Sequence, residues 1–197
     1  MILIGVFLFI GRQQQPPARL AILHLTDCHL PCWIGIVPGR TSLSSALYAI
    51  NSTYKAYTVD HDPPDSGSVM VNIGSNDHSL LSIILSIDDV TPTQTVEQVL
   101  LVNTSALGQV TFGDIVSLLG VPNQLEPSPT KSNINPSILY LDNEVRVGFG
   151  VTPGFISICG EISMDEEISG IGIGNLPPLR QPFSPKQSWR GFGVCYY

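Results

Sequence analysis

His24, Cys28, His29 and Cys32 fall within nine residues of one another, and imidazole nitrogen with thiolate sulfur is the donor set that zinc favours. The spacing is not that of a zinc loop, Pro31 stiffens the turn, and the other two sulfurs, Cys159 and Cys195, lie far along the chain. Four cysteines form an even set that an exported chain oxidises in pairs. The favoured pairing is a short Cys28–Cys32 bridge, with Cys159–Cys195 tying a sheet strand to the C-terminal strand; cross-pairing of loop with sheet is the alternative. No metal and no cofactor is expected.

Nucleophilic catalysis needs a Ser or Cys activated by a His that a carboxylate orients. Cys32 with His78 is the nearest approach to such a set, and no Gly-x-Ser-x-Gly elbow is present. Asp165-Glu-Glu167, joined by Asp142 or Glu144, has the composition of a glycosidase pair or a calcium site. A charged turn that discourages edge pairing has the same composition. Gly170-Ile-Gly-Ile-Gly174 superficially resembles a phosphate loop, but no helix pattern and no nearby lysine follow it. It reads instead as a strand lying close to another backbone. Near the C-terminus, Trp189, Arg190, Phe192 and Tyr196 form the densest aromatic and Arg cluster, the composition of binding hot spots and equally of a packed end-cap. Trp189, Tyr196 and Tyr197 would also suit a polysaccharide.

The elements that must position these residues follow from pattern. Two helix starts match: Ser42 aligns with Thr111, Leu43 with Phe112, Ala46 with Ile115, Leu47 with Val116 and Ile50 with Leu119. Each is a capping hydroxyl followed by apolar residues at helical spacing, and the offset of about seventy residues suits a duplicated module. The first helix is expected from Thr41 or Ser42 to about Asn51. The second carries Asp114 as a capping-box partner and stops at Gly120 and Pro122. Strands are expected at Val69–Ile73, Leu80–Ile87, Glu97–Val102, Ser137–Leu141, Glu144–Phe149, Phe155–Cys159, Ile168–Ile173 and Trp189–Tyr197. Gly74–Asp77 and Asp142-Asn143 form hairpin turns. Val59–Ser68 reads as a polar loop, and residues 12–27 as a linker running into a short apolar segment. Trp33, Ile34 and Ile36 sit in a loop broken by Pro31, Gly35, Pro38 and Gly39, so they must pack down as a plug over one end of the core.

At Cys28-His-Leu-Pro-Cys-Trp-Ile-Gly-Ile-Val-Pro-Gly-Arg-Thr41 the chain resembles a group of exported or membrane-anchored bacterial proteins that share a Pro-Cys-Trp-x-Gly-Ile-x-Pro-Gly-x-Thr motif before a helix. They also carry a later Leu-Gly-x-Pro, like Leu119-Gly-Val-Pro122. More remotely, Val37–Thr41 opening a helix and a helix ending in Leu-Gly-x-Pro are similar to the small lipoprotein of the outer-membrane barrel-assembly machinery and to β-lactamase-inhibitory-protein-like modules. That resemblance implies helices on one face of an antiparallel sheet and a protein partner held by the other face or its loops. Here the two signatures fall in different halves of the chain, so the resemblance does not name the partner.

Composition narrows the class. Charged residues make up only 13% of the 197 residues, with 9 Lys and Arg against 16 Asp and Glu, a net charge of −7. No basic cluster is present, which argues against nucleic acid as a partner. Residues 1–11 carry no polar side chain and precede a Gln/Pro stretch. The run is shorter than the roughly twenty residues needed to span a bilayer, so it is expected to act as a clipped signal anchor, with a buried first strand as the alternative.

The expected architecture is α+β: an anchor and Gln/Pro linker at 1–19, then half-modules at 20–105 and 106–197, each a helix packed on an antiparallel meander. The expected function is non-enzymatic: a cell-envelope interaction or scaffolding module that binds a protein, touching membrane only through its N-terminal segment. An extracytoplasmic hydrolase using Cys32 or the Asp165 turn is the alternative, with a polysaccharide-binding module third. Deleting residues 1–11 should move the protein from the membrane pellet to the soluble fraction on ultracentrifugation. Retention in the pellet, or loss of folding, would identify the run as a buried strand instead.

Overall fold

The computed structural model describes residues 18–55, 57–61, 67–75, 78–88, 94–102, 110–126, 137–140, 144–149, 164–165, 167–174 and 187–188. These form an α+β fold. A single helical turn, α1 (Ala18–Ala21), precedes α2 (Leu43–Thr53), β1 (Thr58–His61), β2 (Ser68–Ser75), β3 (His78–Asp88) and β4 (Thr95–Val102). Then come α3 (Phe112–Leu119), β5 (Gln124–Glu126), β6 (Ser137–Tyr140), β7 (Val145–Phe149), β8 (Ile168–Gly174) and β9 (Gln187–Ser188). The strands make one antiparallel sheet in the order β1-β2-β3-β4-β8-β7-β6-β5-β9.

Both main helices begin on a hydroxyl cap. Ser42 Oγ accepts from Ser45 N at 3.3 Å, while the backbone of Ser42 is extended. The hydroxyl of Thr41, the other cap expected, turns back instead to accept from Val37 N at 2.8 Å. In α3, Thr111 Oγ1 accepts from Asp114 N at 3.4 Å and Asp114 Oδ2 accepts from Thr111 N at 2.9 Å. Two orphan donors are thus satisfied reciprocally. The nearly buried Asp114 carboxylate also sits in the favourable field of a helix N-terminus. Gly120, at φ 83°, stops α3 with its N–H on Val116 O at 2.8 Å, and Pro122 prevents resumption.

The register has an internal symmetry. At the centre of the sheet β4 pairs with β8 through Gln98↔Gly174, Val99↔Ile173, Leu100↔Gly172, Leu101↔Ile171 and Val102↔Gly170. Exchanging each residue with the one 72 positions away returns the same list, with Leu100↔Gly172 mapping onto itself. A bulge falls at the matching place in both outer pairings: Glu97 is the extra residue where β4 meets β3, and Ser169 where β8 meets β7. Each bulge resets the alternation, so Val96 and Val99 both face the core, as do Ile168 and Ile171. The helix entries match as well, since Val96 N donates to Thr41 O at 2.9 Å and Ile168 N to Val110 O at 3.2 Å.

One sheet face carries the core. Val71, Ile83, Leu101, Ile171 and Val147 lie in one row across five strands, and Leu85, Val99, Ile173 and Val145 in another. All are buried in a single cluster with Leu43, Ala46 and Ile50 of α2 and with Phe112 and Ile115 of α3. Leu47 and Val116 pack against its margin.

Several sequence expectations need correction. Val59–Ser68 is not all loop: β1 pairs with β2 from Thr58 to His61, and backbone pairing of a polar edge strand leaves no apolar alternation to read. The three-residue β5 is too short to show a period. The short apolar segment into which the expected linker runs is part of the core, with Leu20, Leu23 and Leu25 buried. Strands β2, β3 and β4 each extend past the expected limits through polar Ser, His, Asp or Thr ends. The strands expected at Phe155–Cys159 and Trp189–Tyr197, and the Asp142-Asn143 turn, lie outside the described residues.

Thr111→Ala removes the hydroxyl that accepts from Asp114 N, while the backbone bond from residue 111 to Asp114 Oδ2 is kept, and should cost about 1 kcal/mol. Leu101→Ala, at the centre of the buried rows, should cost about 2–5 kcal/mol. Urea melts monitored by circular dichroism measure both; an unchanged midpoint for Leu101→Ala would contradict this core assignment.

Candidate functional site

The segment from Ile22 to Thr41 gathers most of the residue types that suggested chemistry, and each has a mechanical task. Trp33 is fully buried, and its indole N–H donates to Leu23 O at 2.7 Å. Trp33 and Ile36 exchange both backbone bonds, at 2.9 and 2.7 Å, around Ile34 and Gly35. Those two central residues have φ of 46° and 86°, the sign pattern of a type I′ turn. A β-branched residue is strained at positive φ; Ile34 offsets this by packing its side chain against the core. Ile36 is fully buried. The expected plug is therefore present.

The rest of the loop ties this plug to the middle of the sheet. Gly39, at φ 74°, donates to Val96 O at 2.7 Å. Pro38 lies over Gly174 at the end of β8, where an added Cβ would stand 2.5 Å from Pro38 Cβ. Gly174 has φ 103°, so both space and backbone demand glycine there. At Gly170 an added Cβ would come within 3.1 Å of Leu101 O. Close approach to another backbone thus bears on two glycines of the Gly170–Gly174 run, since an added Cβ at Gly174 would also stand 2.8 Å from Glu97 O. The Pro38–Gly174 contact, which joins loop to distant strand, has no signal in local sequence beyond the glycine itself.

Cys28 and Cys32 form a disulfide with Cα atoms 5.6 Å apart. Cys32 is therefore no thiolate nucleophile in this state. Cys159 and Cys195, and with them the second expected bridge, lie outside the described residues. His24 Nδ1 meets Asp27 Oδ2 at 2.7 Å, and the His24 ring stands edge-on to Tyr54 with centroids 5.4 Å apart. Tyr54 is fully buried and donates its hydroxyl to Ile22 O at 2.7 Å. His29 Nδ1 sits 2.8 Å from Leu30 O. His24 and His29 are both in this loop, whereas His61 ends β1 and His78 begins β3. Among the described residues no three His, Cys, Asp or Glu side chains converge on a cation position.

The remaining candidates are scattered. Asp165 and Glu167 are exposed, and Glu167 bridges the backbone of Thr111 at the entry to α3. Glu144 is exposed at the start of β7, where its carbonyl accepts from Gly174 N at 2.9 Å. Trp189, Arg190, Phe192 and Tyr196 lie outside the described residues, as do residues 1–11. No described helix is long and apolar enough to cross a membrane. No protein family, curated protein or solved structure matches the chain.

The sheet face away from the helices is the remaining surface. One row across it runs Met70, Ile84, Leu100, Gly172 and Arg146. Met70 is 40% exposed, and Ile84, Leu100 and Arg146 are half-buried. Asn72, Ser82 and Val102 form the adjoining row, with Ser82 Oγ donating to Asn72 Oδ1 at 2.7 Å.

Burial pushes the Tyr54 phenol well above its usual range, and the negative charge of Asp27 and the neighbouring Tyr57 add to the effect. A folded-state value above the unfolded one means that the neutral phenol's contribution is complete below about pH 10 and is lost as pH rises beyond it. Melting temperature should therefore decline above about pH 10, and Tyr54→Phe should show a shallower decline while being less stable at neutral pH. Trp33→Phe, which leaves the Leu23 carbonyl without its donor, should cost about 1–3 kcal/mol. Thermal melts across pH 7–11 test the first pair and urea melts the second; identical alkaline slopes for wild type and Tyr54→Phe would rule out the first.

Proposed function

We propose that this chain is a non-enzymatic interaction module of the cell envelope, built from two tandem half-modules, that holds a protein partner against the sheet face opposite its helices. The duplication reading is supported by the β4–β8 register, by matching bulges at Glu97 and Ser169, and by equivalent helix entries. The single observation that carries the binding reading is the two-sidedness of the sheet. Its helix-bearing face is a closed aliphatic core, while the other carries half-exposed Met70, Ile84 and Leu100 beside Asn72 and Ser82.

That second face has the mixture an interface uses: apolar side chains over about 10 Å of adjacent strands, bordered by small polar groups that are cheap to desolvate. Its half-exposed aliphatics contribute little to the core cluster, so the fold alone gives weak reason for them. While the bridge is closed, the Cys32 sulfur that a hydrolase would need is bonded to Cys28. The expected membrane tether and envelope location rest on the sequence of residues 1–11.

A photoreactive phenylalanine analogue placed at Met70 should give covalent adducts with an envelope protein on irradiation. The same analogue at Tyr48, which is 76% exposed on α2, should give none. Adducts from Tyr48 with none from Met70 would assign the helix side as the contact surface, and the absence of adducts from both would contradict the binding reading.

A further inference from the structure

The Cys28–Cys32 bridge closes a ring inside a segment that other contacts already hold. Ten residues apart, Leu23 and Trp33 are joined by the indole bond at 2.7 Å, and both side chains are fully buried. Leu25 and Leu30 enter the same core, Trp33 and Ile36 pair through two backbone bonds, and Cys32 N donates to His29 O at 3.0 Å. The ends of the ring are thus fixed with or without the sulfur bond. A short ring constrains the unfolded chain least of all loop lengths, so the bridge adds little that these anchors do not supply. Both cysteines are half-buried on a rim where Thr26, Asp27 and His29 are exposed, and access is what thiol exchange requires.

We propose that Cys28–Cys32 is a thiol–disulfide exchange site, reduced and re-formed by a low-molecular-weight thiol while the plug stays seated. An external thiolate attacks one sulfur; the Cys28–Cys32 bond breaks, a mixed disulfide forms, and the other cysteine leaves as a thiolate. A second external thiolate attacks the external sulfur of that mixed disulfide, releasing the second cysteine thiolate and the oxidised external disulfide. Two electrons pass from two external thiols to the bridge, and the cysteine thiolates take protons from water. The outcome is a local change confined to residues 26–32, which frees the rim beside the His24–Asp27 pair. This inference is independent of the binding reading.

The site is separable by mass spectrometry. Cleavage after Arg19 and Arg40 leaves both cysteines on one peptide, 20–40, apart from Cys159 and Cys195. The full-length protein is equilibrated in glutathione buffers of increasing reducing strength, quenched with an alkylating reagent and digested. Two alkyl groups should appear on peptide 20–40 at millimolar glutathione without denaturant, and glutathione disulfide should remove them from a parallel sample. The melting temperature of the reduced protein should fall by no more than about 8 °C, and the Trp33 indole N–H should remain protected from exchange. A double variant, Cys28→Ser with Cys32→Ser, should fold with the same protection. Alkylation of peptide 20–40 only in guanidinium, unfolding on reduction, or failure of the double variant to fold would each overturn the proposal and make the bridge a structural staple.

Discussion

The antiparallel pairing of β4 with β8 is the constraint on which the rest of the molecule depends. It places β4, which follows α2, beside β8, which follows α3, at the centre of one sheet, so that α2 and α3 share a single core. Pairing register in a sheet with one buried face is unforgiving, because a slip of one residue turns every side chain to the opposite face. Here such a slip of β8 against β4 would bring Ile171 and Ile173 out of the core at once. The bulges at Glu97 and Ser169 work with that pairing: each re-aims the strand so that Val96 or Ile168 at its start is buried as well. The same two residues then hold the backbone just ahead of the helix caps, at Thr41 and Val110. Central pairing, bulge and helix entry thus form one mechanical unit on each side of the Leu100–Gly172 pair.

The loop before α2 shows how residues that look chemical become structural. Cysteine, tryptophan, histidine and a run of Pro and Gly are the composition of many sites. In this loop the sulfurs bond to each other, the indole is spent on Leu23 O, and the glycines supply backbone angles that close a hairpin and lay Pro38 on Gly174. The loop therefore reaches from the first helix to the end of β8, which makes it part of the central assembly. The exposed part of the loop is Thr26, Asp27 and His29, around the half-buried Cys28.

By contrast, the opposite sheet face departs from symmetry. Leu100 stands where its symmetry mate is Gly172, and Ile84 where the mate is Arg146. The corresponding core pairs, Val99 with Ile171 and Leu101 with Ile173, remain aliphatic. Packing against helices holds the inner positions to one chemistry, whereas a face away from the helices carries no such demand. The positions that break the register symmetry, Ile84, Leu100, Arg146 and Gly172, therefore lie on the face away from the helices.

Local sequence was sufficient for whatever depends on neighbours a few residues apart. The caps at Ser42 and Thr111, the capping-box Asp114, the stop at Gly120 and the inward faces of both helices are legible because a hydroxyl, a carboxylate three residues on and a 3.6-residue period act within one turn. The central strands are legible because burial of one face imposes alternation, and the burial of Trp33 follows from its size in a loop that cannot be regular. Sequence did not disclose β1 and β5, whose backbone pairing at the margin demands no apolar pattern, or the docking of Leu20, Leu23 and Leu25. Nor did it disclose the order in which strands meet. That order, the dyad at Leu100–Gly172 and the seat of Pro38 on Gly174 were decided by tertiary structure, because they join residues far apart in the chain and depend on which surfaces meet, not on any local preference.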